Sequence, residues 1–219
     1  MFRLFSVVSL VLMAVFSSVA VSAETNREPI SMKDPQQLIE QASERTFARF
    51  RQDRQLIEKD INHLKVIVEE ELMPYVNHSY AAAKVLGRNY AKLKTKEQKA
   101  AFFEVFRRYL IVTYANVFTL YDDQKVTYAP AKDVGSSRTA QVKVTIIDAN
   151  RPPIKIDFKL RKGKKSGNWR AFDMVAEGIS MVSSKRTEFN SIIRKHGIDY
   201  LMTKLDEKAQ QSVEAKVKS

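Results

Sequence analysis

The hydrophobic period of this chain changes twice, and the two changes confine it to one broad architecture. From Leu38 to Tyr121 apolar side chains recur every three or four residues, from Lys125 to Gly178 mostly every second residue, and from Lys185 the longer spacing returns. The longer period buries a stripe of a helix and the shorter one a face of a strand. Helices, then a run of strands, then helices predict an α+β domain with a curved antiparallel meander sheet of about four strands.

Local signals punctuate these segments. Asp34-Pro35 is an N-cap followed by proline at the first helical position, and Leu38, Ala42, Phe47 and Phe50 follow about a turn apart. Ile57, Ile61, Leu64, Val68 and Leu72 continue the helical spacing until Pro74, and a short helix beyond it stops at Gly87. Thr95 and Gln98 form a capping-box pattern ahead of a helix running to Tyr121. Its stripe of Phe103, Phe106, Leu110, Tyr114, Val117 and Tyr121 is widened by Phe102, Tyr109, Val112 and Phe118, so it needs cover on two sides.

The strands are separated by KDVGSS, ANRPP and GKKSG. The stretch NWRAFDMVAEGISMV (168–182) stands apart. Trp169, Ala171, Asp173 and Val175 alternate against Arg170, Phe172, Met174 and Ala176, with apolar side chains on both sides. Ile179, Met181 and Val182 stay apolar after Gly178. A strand buried on one face alone is polar on the other. Either a thick two-layer core or an internal apolar cavity between sheet and aromatic helix accounts for this surplus.

Residues 1–23 have a basic start at Arg3, an apolar run and a small-residue end at Ala23, the layout of a secretory signal peptide cleaved after Ala23. Residues 24–33 are expected to be a flexible mature N-terminus, 34–207 a single domain and 208–219 a charged tail. An exported chain with no cysteine must hold together by burying apolar surface, which suits a bacterial periplasm. Its net charge of +12 then favours lipid headgroups and acidic protein surfaces over nucleic acid, and no aromatic interleaving suggests base stacking.

Catalytic and metal signatures are weak. His63, His78 and His196 lie far apart without ligand spacing, and Gly178-Ile179-Ser180 lacks the second glycine of a nucleophile elbow. Asp148, Asp157, Asp173 and Glu177 read as solvated or salt-bridged groups, Glu69-Glu70-Glu71 as helix surface, and there is no phosphate loop. The expectation is a protein that is not an enzyme, with no catalytic residue, metal or cofactor. A small enzyme with an apolar substrate and a periplasmic holdase or lipoprotein carrier remain as alternatives.

The run from Val144 to Phe189, with ELMPYV and FRRYLIVTYANVFTLY upstream, closely resembles the MlaC family, also called the toluene-tolerance family, from about Asp34 to about Leu205. The most specific matches are Trp169, Asp173, Glu177, Gly178 and Ser180, while Arg186 and Phe189 stand slightly displaced from the family's Arg-x-x-x-Phe. The resemblance implies a periplasmic, monomeric phospholipid carrier with the lipid as cargo. It implies exchange between an outer-membrane lipoprotein–porin complex (MlaA-like) and the inner-membrane MCE-domain protein of an ABC transporter (MlaD-like). Alternation and the resemblance together nominate Phe106, Leu110, Tyr114, Val142, Val144, Ile156, Phe158, Trp169, Phe172, Met174, Val175, Ile179 and Met181 as lipid-binding, and Arg107, Arg108, Lys143, Lys155 and Arg170 as a basic rim for headgroups or partners.

Overall fold

In the computed structural model, which describes residues 29–121, 123–148 and 151–214, helices precede and follow one five-stranded antiparallel sheet of order β1-β2-β3-β4-β5. The proposed signal peptide, its cleavage point at Ala23 and residues 215–219 lie outside the described residues.

Helix α1 (Pro35–Gln52) begins where Asp34 accepts the Gln37 N–H at 2.8 Å. The expected continuous helix from Ile57 to Leu72 is instead broken into α2 (Arg54–Lys59), α3 (His63–Ile67) and a π-helical turn, Val68–Leu72. The break is local chemistry. Asp60 is extended and its side chain accepts the Asn62 N–H at 2.9 Å, an Asx turn that competes with the helical ladder. A 3-10 turn at Met73–Tyr75 holds Pro74, and α4 (His78–Leu86) is capped by Asn77 and ended by Gly87 at a φ of 54°. The Thr95–Gln98 capping box starts α5 (Lys96–Phe118).

Strands β1 (Lys125–Tyr128), β2 (Thr139–Ile147), β3 (Ile154–Lys162) and β4 (Trp169–Ala176) form the expected meander. A two-residue β5 (Ile179–Ser180) is added by a tight hairpin in which Glu177 and Gly178 both have positive φ, the signature of a type I′ turn. Glu177 tolerates that backbone because its carboxylate accepts the Lys155 N–H and its own N–H donates to Lys155 O. Helix α6 (Met181–His196) follows directly, earlier than the expected start after Ser184, and α7 (Ile198–Gln210) packs against α5.

Register explains the doubly apolar β4. Lys159 pairs with Asp173 but Leu160 pairs with Ala171, so Phe172 is the extra residue of a β-bulge. Strict alternation is broken there: Ala171 and Met174 both line the same apolar space, and Val175 opposes Asp157 on the far face. Three apolar clusters result. One joins α4, α5, α6 and α7 around Phe102, Phe106 and Phe189, and another joins α1 to the sheet around Leu38, Val142 and Trp169. The third joins α1, α3 and α5 around Phe50, Ile67 and Ile111. Helix α5 contributes to the first and third, the two-sided cover its aromatic girth requires.

Packing also reaches beyond the expected domain limits. Ile30 is buried in the α1–sheet cluster and the Trp169 N–H donates to Met32 O at 2.7 Å, so residues 30–33 join the domain rather than precede it. Val213 is buried in the third cluster, which brings the first residues of the expected tail into the core.

Candidate functional site: a divided apolar chamber

The concave face of the sheet does not close completely on the helices. A cavity of about 190 Å³ lies between Val126, Val144, Ile146, Ile156 and Phe158 of the sheet, Ser43, Thr46 and Phe47 of α1, and Tyr114, Val117 and Phe118 of α5. A second, of about 120 Å³, lies between Ala81 and Val85 of α4, Phe106, Tyr109, Leu110 and Thr113 of α5, and Met181, Val182 and Lys185 of α6. Val76, Tyr114, Val117, Phe172, Asp173 and Met174 line both. The bulged Phe172 is therefore a shared wall, steadied by Tyr80 edge-on to its ring at 5.0 Å.

The lining is almost entirely hydrocarbon. Thr46 contributes its methyl group, because its hydroxyl donates to Ala42 O at 2.7 Å. Asp173 is nearly buried and its carboxylate is occupied: it accepts the Ser180 hydroxyl and the Val182 N–H, and Lys159 lies 3.6 Å away. Burial, with Asp173 and Tyr109 adding smaller contributions, pushes the Tyr114 phenol up to about 12, so it stays neutral. Burial opposes the charge of Lys185, but Glu188 at 2.7 Å and the Tyr109 hydroxyl outweigh it and raise its pKa. Val117 is 48% exposed although it faces both cavities, which marks an opening beside α5. Such a chamber, apolar and with its charges already partnered, can hold hydrocarbon chains.

Of the residues nominated from sequence, Phe106, Leu110, Tyr114, Val144, Ile156, Phe158, Phe172, Met174 and Met181 line one or both cavities. Four do not. Val142 and Trp169 lie on the right face but are sealed beneath α1, the bulge turns Val175 to the opposite face, and Ile179 is 59% exposed beyond the hairpin turn. Sequence reading passed over Ser43, Thr46, Phe47, Val76 and Val126. Val117 and Phe118 carried a usable signal, since both belong to the widened α5 stripe.

The basic rim is not a single surface. Consecutive positions on α5 splay Arg107 to Glu69 at 2.9 Å and Arg108 to Asp206 at 2.6 Å. Strand alternation turns Lys143, Lys155 and Arg170 away from Val144, Ile156 and Trp169, onto the opposite face of the sheet. Arg107 and Arg170 each lie near enough to His78 to add to the depression of its pKa that burial begins. The three glutamates also do more than face solvent. Glu69 pairs with Arg107, while Glu70 and the buried Glu71 pair with Arg49 at 2.9 and 3.5 Å. His63 joins the same network through Asp53 at 2.7 Å.

No group of three or more potential metal-ligating side chains occurs among the described residues, and none of their helices is long and apolar enough to cross a membrane.

Residues 40–207 match the family of MlaC proteins. The chain is 38% identical over 188 residues to the intermembrane phospholipid transport system binding protein MlaC of Haemophilus influenzae, covering 85% of this chain and 87% of that one. It is 24% identical over 191 residues to the toluene tolerance protein ttg2D of Pseudomonas putida, covering 87% and 83%. A phospholipid-binding protein from Ralstonia solanacearum, solved in complex with a phospholipid, has the same fold, with a TM-score of 0.71 at 22% identity over 80% of this chain and 97% of that one.

Proposed function

This chain belongs to the MlaC family, and from that premise we propose that it is a periplasmic carrier that takes up phospholipid as cargo and moves it between the outer and inner membranes, so maintaining outer-membrane lipid asymmetry. The observation that carries the reading is the divided apolar chamber, opening beside Val117, in a chain whose relative is named for intermembrane phospholipid transport.

The magnitudes fit a carrier. At about 0.8 kcal/mol per methylene, two acyl chains with roughly thirty methylenes lose on the order of 25 kcal/mol in water. Nearly all of that surface must be wrapped during transit. Transfer from bilayer to chamber exchanges hydrocarbon for hydrocarbon and lies close to neutral, so no chemical step is required of the protein. Direction then follows from competition by its partners, which we take to be an MlaA-like lipoprotein–porin complex and an MlaD-like MCE-domain protein. The chain would act there as a monomer, after cleavage at Ala23. The nine nominated residues lining the chamber, together with Val117 and Phe118, are the proposed acyl-chain contacts.

The test is native mass spectrometry of the mature protein beside lipid mass spectrometry of its extract. Phospholipid at a defined stoichiometry is the expected result. A protein that is folded and consistently empty would refute the carrier reading.

A further inference from the structure

A separate pocket of about 720 Å³ lies between the 3-10 turn Gly87–Lys92 and the Arg186–Arg194 stretch of α6. Arg88 and Lys92 enter it from the turn, Arg186 and Arg194 from the helix, and Asn89 and Asn190 complete its polar wall. None of its lining residues is acidic. Cations gathered within a Debye length repel one another unless something offsets them. Elsewhere the protein supplies the offset: Arg49, Arg54, Arg107 and Arg108 each meet a carboxylate. Among the described residues, no carboxylate pairs with any of the four cations of this pocket.

Helix ends explain part of the arrangement. Arg194 sits in the last turn of α6, and Arg186 Nε donates to Lys84 O in the last turn of α4 at 2.7 Å. Those contacts leave the terminal nitrogens of Arg186 and the whole of Arg88 and Lys92 without an acceptor among the described residues. The Asn89 amide donates to Asn190 Oδ1 at 2.6 Å, which leaves the Asn190 amide hydrogens for another acceptor. The concavity thus presents three guanidinium forks, one ammonium and one amide, and no acceptor of matching charge.

We propose that this pocket is an anion site for the phosphate of a bilayer headgroup, through which the protein docks on an acidic lipid surface. A headgroup phosphodiester holds two charged oxygens on a tetrahedral phosphorus, each able to accept from more than one N–H, so guanidinium groups from two walls can share it. The position suits docking. Helix α6 lines the pocket directly and α4 ends at its Gly87, and through Met181 and Val182 of α6 and Ala81 and Val85 of α4 the same two helices wall the second cavity. Engagement of a headgroup would bring the helices that enclose the chamber against the membrane. The site itself stands on its own residues and does not depend on the cargo.

The test is flotation of the mature protein with phosphatidylcholine vesicles, with and without phosphatidylglycerol. R88E/R194E is compared with K164E/K165E, which makes the same change in net charge on the exposed β3–β4 turn. The pocket variant is expected to lose at least about tenfold in affinity for the acidic vesicles, and the turn variant less than about threefold. Circular dichroism and cargo content are read in parallel, so failure of the docking site and failure of the carrier reading are distinguishable; R88Q/K92Q replaces the first variant if that one does not fold. Equal weakening by both variants would reduce the effect to diffuse charge and overturn the proposal. So would wild-type protein that ignores acidic vesicles, or a pocket that takes up inorganic phosphate while vesicle binding is indifferent to the pocket variant.

Discussion

Asp173 accepts hydrogen bonds from the Ser180 hydroxyl at 2.7 Å and the Val182 N–H at 3.0 Å, and so fastens strand β4 to the first turn of α6. Ser180 is itself the N-cap of α6, accepting the Ser183 N–H at 3.1 Å. A buried carboxylate at a helix N-terminus satisfies orphan donors and meets the positive end of the dipole. The spacing of Asp173, Glu177, Gly178 and Ser180 is therefore a structural clasp: the two middle residues make the I′ turn that returns the chain to Asp173.

Breaking the clasp should cost stability and cargo together. Asp173→Ala leaves two half-buried donors without their acceptor and the half-exposed Lys159 without its partner, and is expected to destabilise by about 1–3 kcal/mol. Ser180→Ala should cost about 1 kcal/mol. Because the two share one network, the double variant should cost less than their sum. Urea unfolding of the four proteins, with the slope checked for constancy, measures this; full additivity would mean the hydrogen bonds are not coupled.

Val117 offers the cleaner probe of the chamber, because it is half-exposed and faces both cavities. Val117→Glu should leave the thermal midpoint within about 3 °C, as a surface substitution does, while a carboxylate at the opening opposes entry of hydrocarbon. Lipid content by mass spectrometry is expected to fall to less than about a tenth of wild type. Val175→Glu, on the far face of β4, should keep its cargo. Retained lipid in the first variant would remove the opening from beside α5.

Much of this was legible from residue types. The capping box at Thr95, the N-cap at Asp34, the meander and the two-sided α5 follow from local chemistry and periodicity. The apolar surplus of β4 also correctly signalled a second partner surface. What failed was alternation past Phe172, since a bulge depends on the partner strand's register and leaves no mark in the strand's own sequence. The α1 contribution was hidden for another reason: Ser43 and Thr46 read as polar until the hydroxyl of Thr46 is seen bonded to its own helix. The basic rim failed because charges close in sequence can diverge in space, as Arg107 and Arg108 do.

His78 predicts a pH dependence. Burial first and then Arg107 hold its pKa below the ordinary 6.5; Glu104 pulls it the other way, and Arg170 adds a smaller downward push. As pH falls through 6.5 the unfolded chain takes up a proton that the folded chain still refuses, so stability declines until the folded value is passed. Above about pH 7 both states are neutral and the contribution vanishes. Denaturant midpoints between pH 8 and pH 5 should therefore fall in the wild type and flatten in His78→Gln; an identical slope in both would assign the decline to another group.

Arg49 is the hub of the remaining charged network, meeting Asp53, Glu70 and Glu71 and thereby holding the end of α1 against the π-helical turn. Asp53 shows the balance: burial raises its pKa, but hydrogen bonds from His63 and Arg49 outweigh burial and hold it below the ordinary 3.8. Arg49→Met removes the charge that meets all three carboxylates, of which Asp53 and Glu71 are buried, and is expected to destabilise by about 3 kcal/mol or more. Arg49→Lys restores a point charge but not a fork and should recover less than half of that loss. The π-helical turn supplies Leu72 to the first cavity, so the Met variant should also release lipid faster than wild type in a vesicle-transfer assay. Loss of stability with an unchanged release rate would separate the network from the chamber and leave it a purely structural tie.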